Sequence, residues 1–447
     1  MTQKPKRALV LGGGGAHGSY QIGVWQALRE IDWQFDIVTG TSVGALNGAI
    51  IAQGDFDTAV EMWRKIQTGM VFDVEIDESL QLKEKVKTAL LKFMQSAVKD
   101  GGGDDKGLRT ILENYIDEQK IRNSNIDYGL VTLNATKLKP VEVMKKDIPE
   151  SELIDYMLAS AAIFPAIKPQ VIDNAKYIDG GMYNNLPINL ACENGAEDII
   201  AVDVKGLGFK REVEDNSVRI RTLKTRWDLG EMLIFEKDQA RYNMRLGYLE
   251  TLKLFSCYDG DAYTFIKGSI SRLARLKKDK FFSLCDLCCV SFTAPYTSLI
   301  EKSGVRALKR VLNERDVHRF GIENVIMTCA EIAGEAFSLD PTIIYSPERF
   351  CEHLEVAMKK HSRQYKRVIS SEEKTFSIAS AKKYLSLVSK ELRIMVLSKI
   401  ISENVASKKP ISLSPLAAIL PSEFLAALYI CTVINTDILS KKPLPAY

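Results

Sequence analysis

The chain opens with a short apolar run, "RALVL" (7–11), which gives way to four consecutive glycines and then to "SYQIGVWQALREI" (19–31). The run is dense enough for a buried strand, and the segment after the glycines has the spacing of an amphipathic helix. The couplet repeats: "FDIVTG" (35–40) reads as a strand, and "VGALNGAIIAQG" (43–54) as a helix that Gly54 closes. "YGLVTLNAT" (128–136) and "EDIIAVDVK" (197–205) are further strand-like runs between helical stretches. Such alternation predicts an α/β domain with a mainly parallel sheet. The polar, glycine-rich "KDGGGDDKG" (99–107) is expected to be a mobile loop near a site.

The second half is patterned differently. "VRALKRVL" (305–312) and "AKKYLSLVSKELRIMVLSKI" (381–400) read as amphipathic helices, with Leu385, Val388, Leu392 and Met395 on one face of the latter. "ENVIMTCAEI" (323–332) reads as an isolated strand. "FLAALYICTVI" (424–434) is too short to span a bilayer, and Pro415 and Pro421 interrupt its upstream extension, so a buried helix is expected. No internal repeat is visible. The pattern predicts an α/β domain over 1–210 and a largely helical accessory region over 211–447.

Composition narrows the class. Of 447 residues, 46% are hydrophobic and 26% charged, as in ordinary globular proteins. Lys4, Lys6 and Arg7 precede an apolar run too short for a secretory leader, and eight scattered cysteines fit a reduced compartment, so a cytoplasmic address is expected. Residues 1–210 carry 23 Lys+Arg against 29 Asp+Glu, and the remainder 37 against 28. A basic second half suits an anionic surface such as phospholipid headgroups, or simply solvates helix faces; no nucleic-acid partner is expected. The basic run "SRLARLKKDKFF" (271–282) has the same two readings, a membrane-facing helix or a solvated one whose Phe281-Phe282 end packs inward. "CDLCC" (285–289) lacks a second ligand pair, so core or surface thiols are expected rather than a metal site.

Three local constellations carry chemistry. Gly13, Gly15 and Gly18 satisfy G-x-G-x-x-G between a strand and a helix, as a dinucleotide site requires. That reading also needs an acid at the end of the second strand, whereas Asp36 begins it. The end of that strand is instead Gly40-Thr41-Ser42-Val43-Gly44, where a G-x-S-x-G nucleophile elbow belongs. A serine hydroxyl needs a base. The four histidines are His17, His318, His353 and His361, of which the α/β half holds only His17. The alternative is a carboxylate, and "KYIDGGMYNNLP" (176–187) supplies Asp179 before Gly180 and Gly181, a turn signal in its own right.

Together, "GGGGAHG" (12–18), "GTSVG" (40–44), "ASAAIFPA" (159–166) and "DGG" (179–181) resemble, in order and spacing, the motifs of the patatin-like phospholipase family. The resemblance covers roughly residues 5–210. It implies a three-layer α/β catalytic domain that hydrolyses lipid acyl esters with a Ser-Asp dyad through an acyl-enzyme. Ser42 would be the nucleophile, Asp179 the base, and Gly13, Gly14 and Gly15 the oxyanion hole, with Gly18, Gly40, Gly44, Gly180 and Gly181 completing the motifs. The implied substrate is a phospholipid or other acyl lipid, met peripherally at the inner membrane face, with no cofactor. Backbone N–H groups can converge on an oxyanion only where no side chain obstructs the approach, which accounts for the glycine run. His17 departs from the Arg or Lys that the family commonly has there. A regulated or non-catalytic effector with a ligand-sensing second half stays open as an alternative, as does, more remotely, a dinucleotide-binding module.

Overall fold

A computed structural model describes residues 4–72, 77, 79–292, 299–315, 321–370, 388–407 and 410–434. It divides into two compact units, Met1–Phe255 and Ser256–Tyr447. Residues 211–255, which charge groups with the second half, pack with the first.

The first unit is built on a sheet of β1 (Arg7–Leu11), β2 (Ile37–Thr41), β3 (Asp127–Asn134), β4 (Lys139–Met144), β5 (Gln170–Ile172), β6 (Ala175–Asp179), β7 (Asp198–Val202) and β8 (Arg219–Leu223). Their order is β5-β6-β3-β2-β1-β7-β8, with β4 also paired to β3. The β3-β2-β1-β7-β8 stretch is parallel, and β4, β5 and β6 add antiparallel pairs at the other side. Central strands buried on both faces read as continuous apolar runs, which is why they were legible as such.

Alternate residues feed two cores, following the two-residue period of a strand. Leu9, Leu11, Val38, Leu130, Ile200 and Val202 join the larger one. It also takes side chains from α1 (Ser19–Glu30), α2 (Val43–Gln53), α3 (Phe56–Lys65), α5 (Leu82–Asp100), α6 (Lys106–Tyr115), α8 (Leu153–Ser160) and α10 (Lys237–Leu254), and from α4 (Thr68–Phe72) in between. Ala8, Val10, Ile37, Val131, Ile199 and Ala201 face the other way, against Leu186 and α9 (Ile188–Glu193); the short α7 (Glu118–Asn123) leads into β3. Helices therefore cover both faces of the sheet. α1 and α10 cross through glycines: a β-carbon on Gly23 would strike the Met244 carbonyl, and one on Gly247 the Tyr20 carbonyl.

The 99–107 segment is tied to the 165–168 segment by hydrogen bonds. Gly103 donates to the Pro165 carbonyl at 3.1 Å and accepts from Lys168 at 2.9 Å. Gly102 and Gly103 serve that close approach, since a β-carbon on Gly102 would crowd Lys168 and one on Gly103 would meet the Ala166 carbonyl.

The second unit is helical: α11 (Ser269–Leu287), α12 (Leu299–Asn313), α13 (Ile322–Ala336), α14 (Pro347–Lys360), α15 (Ser362–Ser370), α16 (Lys390–Ala406), α17 (Ser414–Ile419) and α18 (Pro421–Val433). β9 (Thr264–Phe265) and β10 (Ile344–Tyr345) form its small sheet. Residues 424–430 of α18 are wholly buried, as expected for a core helix. The run 323–332 lies in α13 and is not a strand. Val325, Ile326, Cys329, Ala330 and Ile332 are all buried, and so apolar a run fits a core helix as well as a strand. α16 begins only at Lys390, after Ser389 in extended conformation, so Val388 precedes the helix, and Leu385 lies outside the described residues. Leu392 and Met395 are buried with Ile394, Val396 and Leu397, on all sides of the helix rather than in a stripe. The basic run 271–282 lies in α11 with Phe281 buried. Among the described residues, no helix is long and apolar enough to cross a membrane and no cluster could hold a metal ion. Among the described residues no cysteine forms a disulfide.

Candidate active site

β2 turns directly into α2 at Ser42, whose backbone sits at φ 55°, ψ −128°. A left-handed φ on a non-glycine residue costs of the order of 1–3 kcal/mol and persists only where the surroundings impose it. Here they do. β-Carbons on Gly40 and Gly44 would strike the Gly44 and Leu11 carbonyls respectively, so both glycines let the elbow fold back on itself and against β1. The Ser42 N–H donates to Ser160 Oγ at 2.9 Å, and that hydroxyl donates to the Val131 carbonyl at 2.7 Å. Thr41 Oγ1 donates to the Asn184 carbonyl at 2.8 Å. Sequence reasoning did not single out Ser160, although it lies in the 159–166 motif at the end of α8.

Asp179 ends β6, in register with Thr132 of β3. One carboxylate oxygen accepts the Gly181 N–H at 2.7 Å; the other, Oδ2, is buried without a hydrogen-bond partner among the described residues. Burial pushes the Asp179 carboxyl up to about 6, against the opposing pull of the Ser42 hydroxyl and the Gly181 N–H. It is thus a buried carboxylate with raised proton affinity, within the influence of the Ser42 hydroxyl. Gly180 is needed because a β-carbon there would meet the Val131 carbonyl.

The glycine loop divides its labour. The Gly12 and Gly13 N–H groups are already spent, on the Val202 and Asn185 carbonyls at 3.0 and 3.1 Å. This corrects the expectation that Gly13 offers an oxyanion donor. Gly13 is instead a spacer, where a β-carbon would come within 3.1 Å of Ser42 Cβ and collide with Asn185 Oδ1. Gly14 and Gly15 line the same pocket as Ser42 and Asp179, and among the described residues their N–H groups have no acceptor. Gly15 has φ +53°, and a β-carbon there would strike the Met232 carbonyl; one on Gly18 would come within 2.5 Å of Val43. Asn185, also overlooked in the sequence, holds the loop through Nδ2 to the Gly13 and Gly206 carbonyls, each at 3.3 Å.

His17 faces away from proton transfer. Its Nδ1 and Nε2 lie 3.0 and 2.8 Å from the Val204 and Gly230 carbonyls, so both ring nitrogens are directed at backbone oxygens rather than at Ser42. His353 and His361 belong to the second unit, and His318 lies outside the described residues. Asp36 accepts the Arg7 N–H at 2.9 Å, at the opposite end of the strands from the glycine loop, where it cannot hold a ribose bound there.

The pocket has about 860 Å³ of free space, part of it open to solvent. Its walls are mostly apolar, from α2, α3, α4, α6 and the Leu233–Phe235 segment. Leu207 lines the pocket yet is 75% exposed, which places it at the mouth; Phe209 beside it is 66% exposed.

Residues 9–192 match the family described as patatin-like phospholipase. The chain is 26% identical over 293 residues to patatin-like phospholipase domain-containing protein 7 of Rattus norvegicus, covering 63% of this chain and 20% of that protein. It is 24% identical over 277 residues to lysophospholipase NTE1 of Kluyveromyces lactis, covering 61% of this chain and 18% of that one. The chain thus spans about a fifth of the length of these relatives. VipD from Legionella pneumophila is a structural neighbour at a TM-score of 0.33 and 12% identity, over 98% of this chain and 94% of that one. Strands β2 to β6, the serine elbow, the glycine loop and Asp179 fall within the matched segment, and residues 9–192 of this chain are similar to a patatin-like phospholipase domain.

Proposed function

We propose that the chain is a serine hydrolase of lipid acyl esters, of phospholipase A or lysophospholipase type, with Ser42 and Asp179 as its dyad. The observation that carries this reading is the convergence of Ser42, Asp179, Gly14 and Gly15 on one apolar pocket. Asp179 takes the Ser42 hydroxyl proton as Oγ attacks the ester carbonyl carbon. The carbonyl oxygen becomes an oxyanion, and the Gly14 and Gly15 N–H groups stabilise it where its charge develops. Collapse expels the alcohol, which leaves with the proton from Asp179, and the acyl group remains on Ser42. Water then attacks the acyl-enzyme as Asp179 takes its proton, the fatty acid departs, and the proton returns to Ser42 Oγ.

The apolar walls suit an acyl chain, and exposed Leu207 and Phe209 suit a mouth that rests on a lipid surface. On this reading catalysis belongs to the first unit, and membrane contact is peripheral. A fluorophosphonate probe should label Ser42 in the native protein and nothing in Ser42→Ala. A phospholipid and lysophospholipid panel should release fatty acid only with the former. Undiminished turnover by folded Ser42→Ala would overturn the proposal.

A further inference from the structure

The pocket has a wall with free space on both sides. Trp63, Ile66 and Phe235 line the pocket of Ser42, and the same three residues line a second, much smaller void, its roughly 190 Å³ partly open to solvent, together with Ala16, Gln239 and Ala240 among others. All three wall residues are more than nine-tenths buried. Trp63 and Phe235 stack with ring centroids 6.1 Å apart, and Phe72 meets Phe235 edge-on at 6.0 Å. Both large wall residues are fastened. Trp63 Nε1 donates to Asn47 Oδ1 at 3.0 Å, and the Phe235 N–H donates to Thr68 Oγ1 at 2.9 Å. The partition at Phe235 is therefore a side chain carried on an anchored backbone, and truncating it would join two spaces without freeing the segment.

We propose that this wall sets the length of acyl chain the pocket accepts, with the Phe235 ring as the stop and the second void as the space a longer chain enters once the ring is removed. The inference rests on the reading of the pocket as an acyl site. Each methylene accommodated in apolar surroundings strengthens binding by roughly fourfold. A methylene that must push against a close-packed aromatic wall loses that gain to overpacking.

The test measures binding of saturated fatty acids, from butyrate to stearate, to Ser42→Ala by titration calorimetry, alone and combined with Phe235→Ala. In Ser42→Ala alone, affinity should rise by about fourfold per methylene up to a limiting length and then stop rising. Phe235→Ala should move that limit to longer chains. Adding Ala240→Met, which fills only the second void, should move it back. Phe235→Leu serves if the alanine variant does not fold, with a smaller shift in the same direction. An unmoved limit in a folded Phe235 variant overturns the proposal, as does a shift that Ala240→Met fails to reverse. In parallel, p-nitrophenyl esters of the same acids are assayed with Ser42 intact. A binding limit that moves without any ester turnover would leave the wall standing and remove the hydrolase reading. Turnover with an unmoved limit would do the reverse.

Discussion

A carboxylate that is to take a proton from a serine hydroxyl needs surroundings that raise its proton affinity, and Asp179 has them. Its carboxyl, ordinarily near 3.8, is pushed up to about 6 by burial. The base must be ionised, so kcat/KM should fall about tenfold per pH unit below an apparent value near 6, which a pH–rate profile will read. The same burial opposes folding. The folded carboxyl keeps its proton at higher pH than the unfolded one, so stability is undiminished below pH 3.8 and declines as pH rises through about 6. Asp179→Asn should therefore lose two to four orders of magnitude in turnover, as roughly expected for a missing general base. It should also gain on the order of 3 kcal/mol of stability at neutral pH, a gain that vanishes in acid. Urea titrations of both proteins at two pH values will test this. Ser160 acts through the backbone instead. Ser160→Ala leaves the Ser42 N–H without its acceptor, at a cost of about 1–3 kcal/mol. Kinetically, kcat should fall while KM stays nearly constant, because the proposed nucleophile is displaced and the pocket is not.

At the scale of elements, the β2–α2 elbow shows what a sequence makes legible and what it withholds. Strand, turn and helix could be read from "FDIVTG" and "VGALNGAIIAQG", because the apolar runs and the bracketing glycines report local constraints. The reason for Gly44 could not, since the atom that excludes a β-carbon is the Leu11 carbonyl, a strand away. Gly44→Ala should accordingly cost about 3 kcal/mol or more, by forcing α2 off β1, and lower the melting temperature. The loop was half legible for the same reason. Glycines announced close approach, but only the pairing of Gly13 with Asn185 tells the spacer from the residues left to donate. Ser160 and Asn185 left no local signal because their partners lie 118 and 172 residues away. The run 323–332 failed as a strand because burial on all sides erases the periodicity that tells helix from strand.

At the scale of the molecule, the first unit needs more chain than the family match covers. α10 lies against α1 through Gly23 and Gly247. Tyr20 Oη donates to the buried Glu250 at 2.5 Å, and Asn243 donates to Ser19 Oγ at 3.2 Å. A fragment of residues 1–255 should unfold cooperatively in urea, whereas one of residues 1–210 should expose that helix face and aggregate. Size-exclusion chromatography with circular dichroism will separate the two outcomes. The sheet order carries a further consequence, in time. Ser42 directly follows β2 and Asp179 ends β6, with β3 between the two strands, and 137 residues separate Ser42 from Asp179 in the chain. At roughly 5–20 residues per second, a ribosome adds Asp179 some 7–27 s after Ser42. On the proposed dyad, a nascent chain holds for that interval a serine with no base to take its proton, and any lipid it meets while still being made is safe from it.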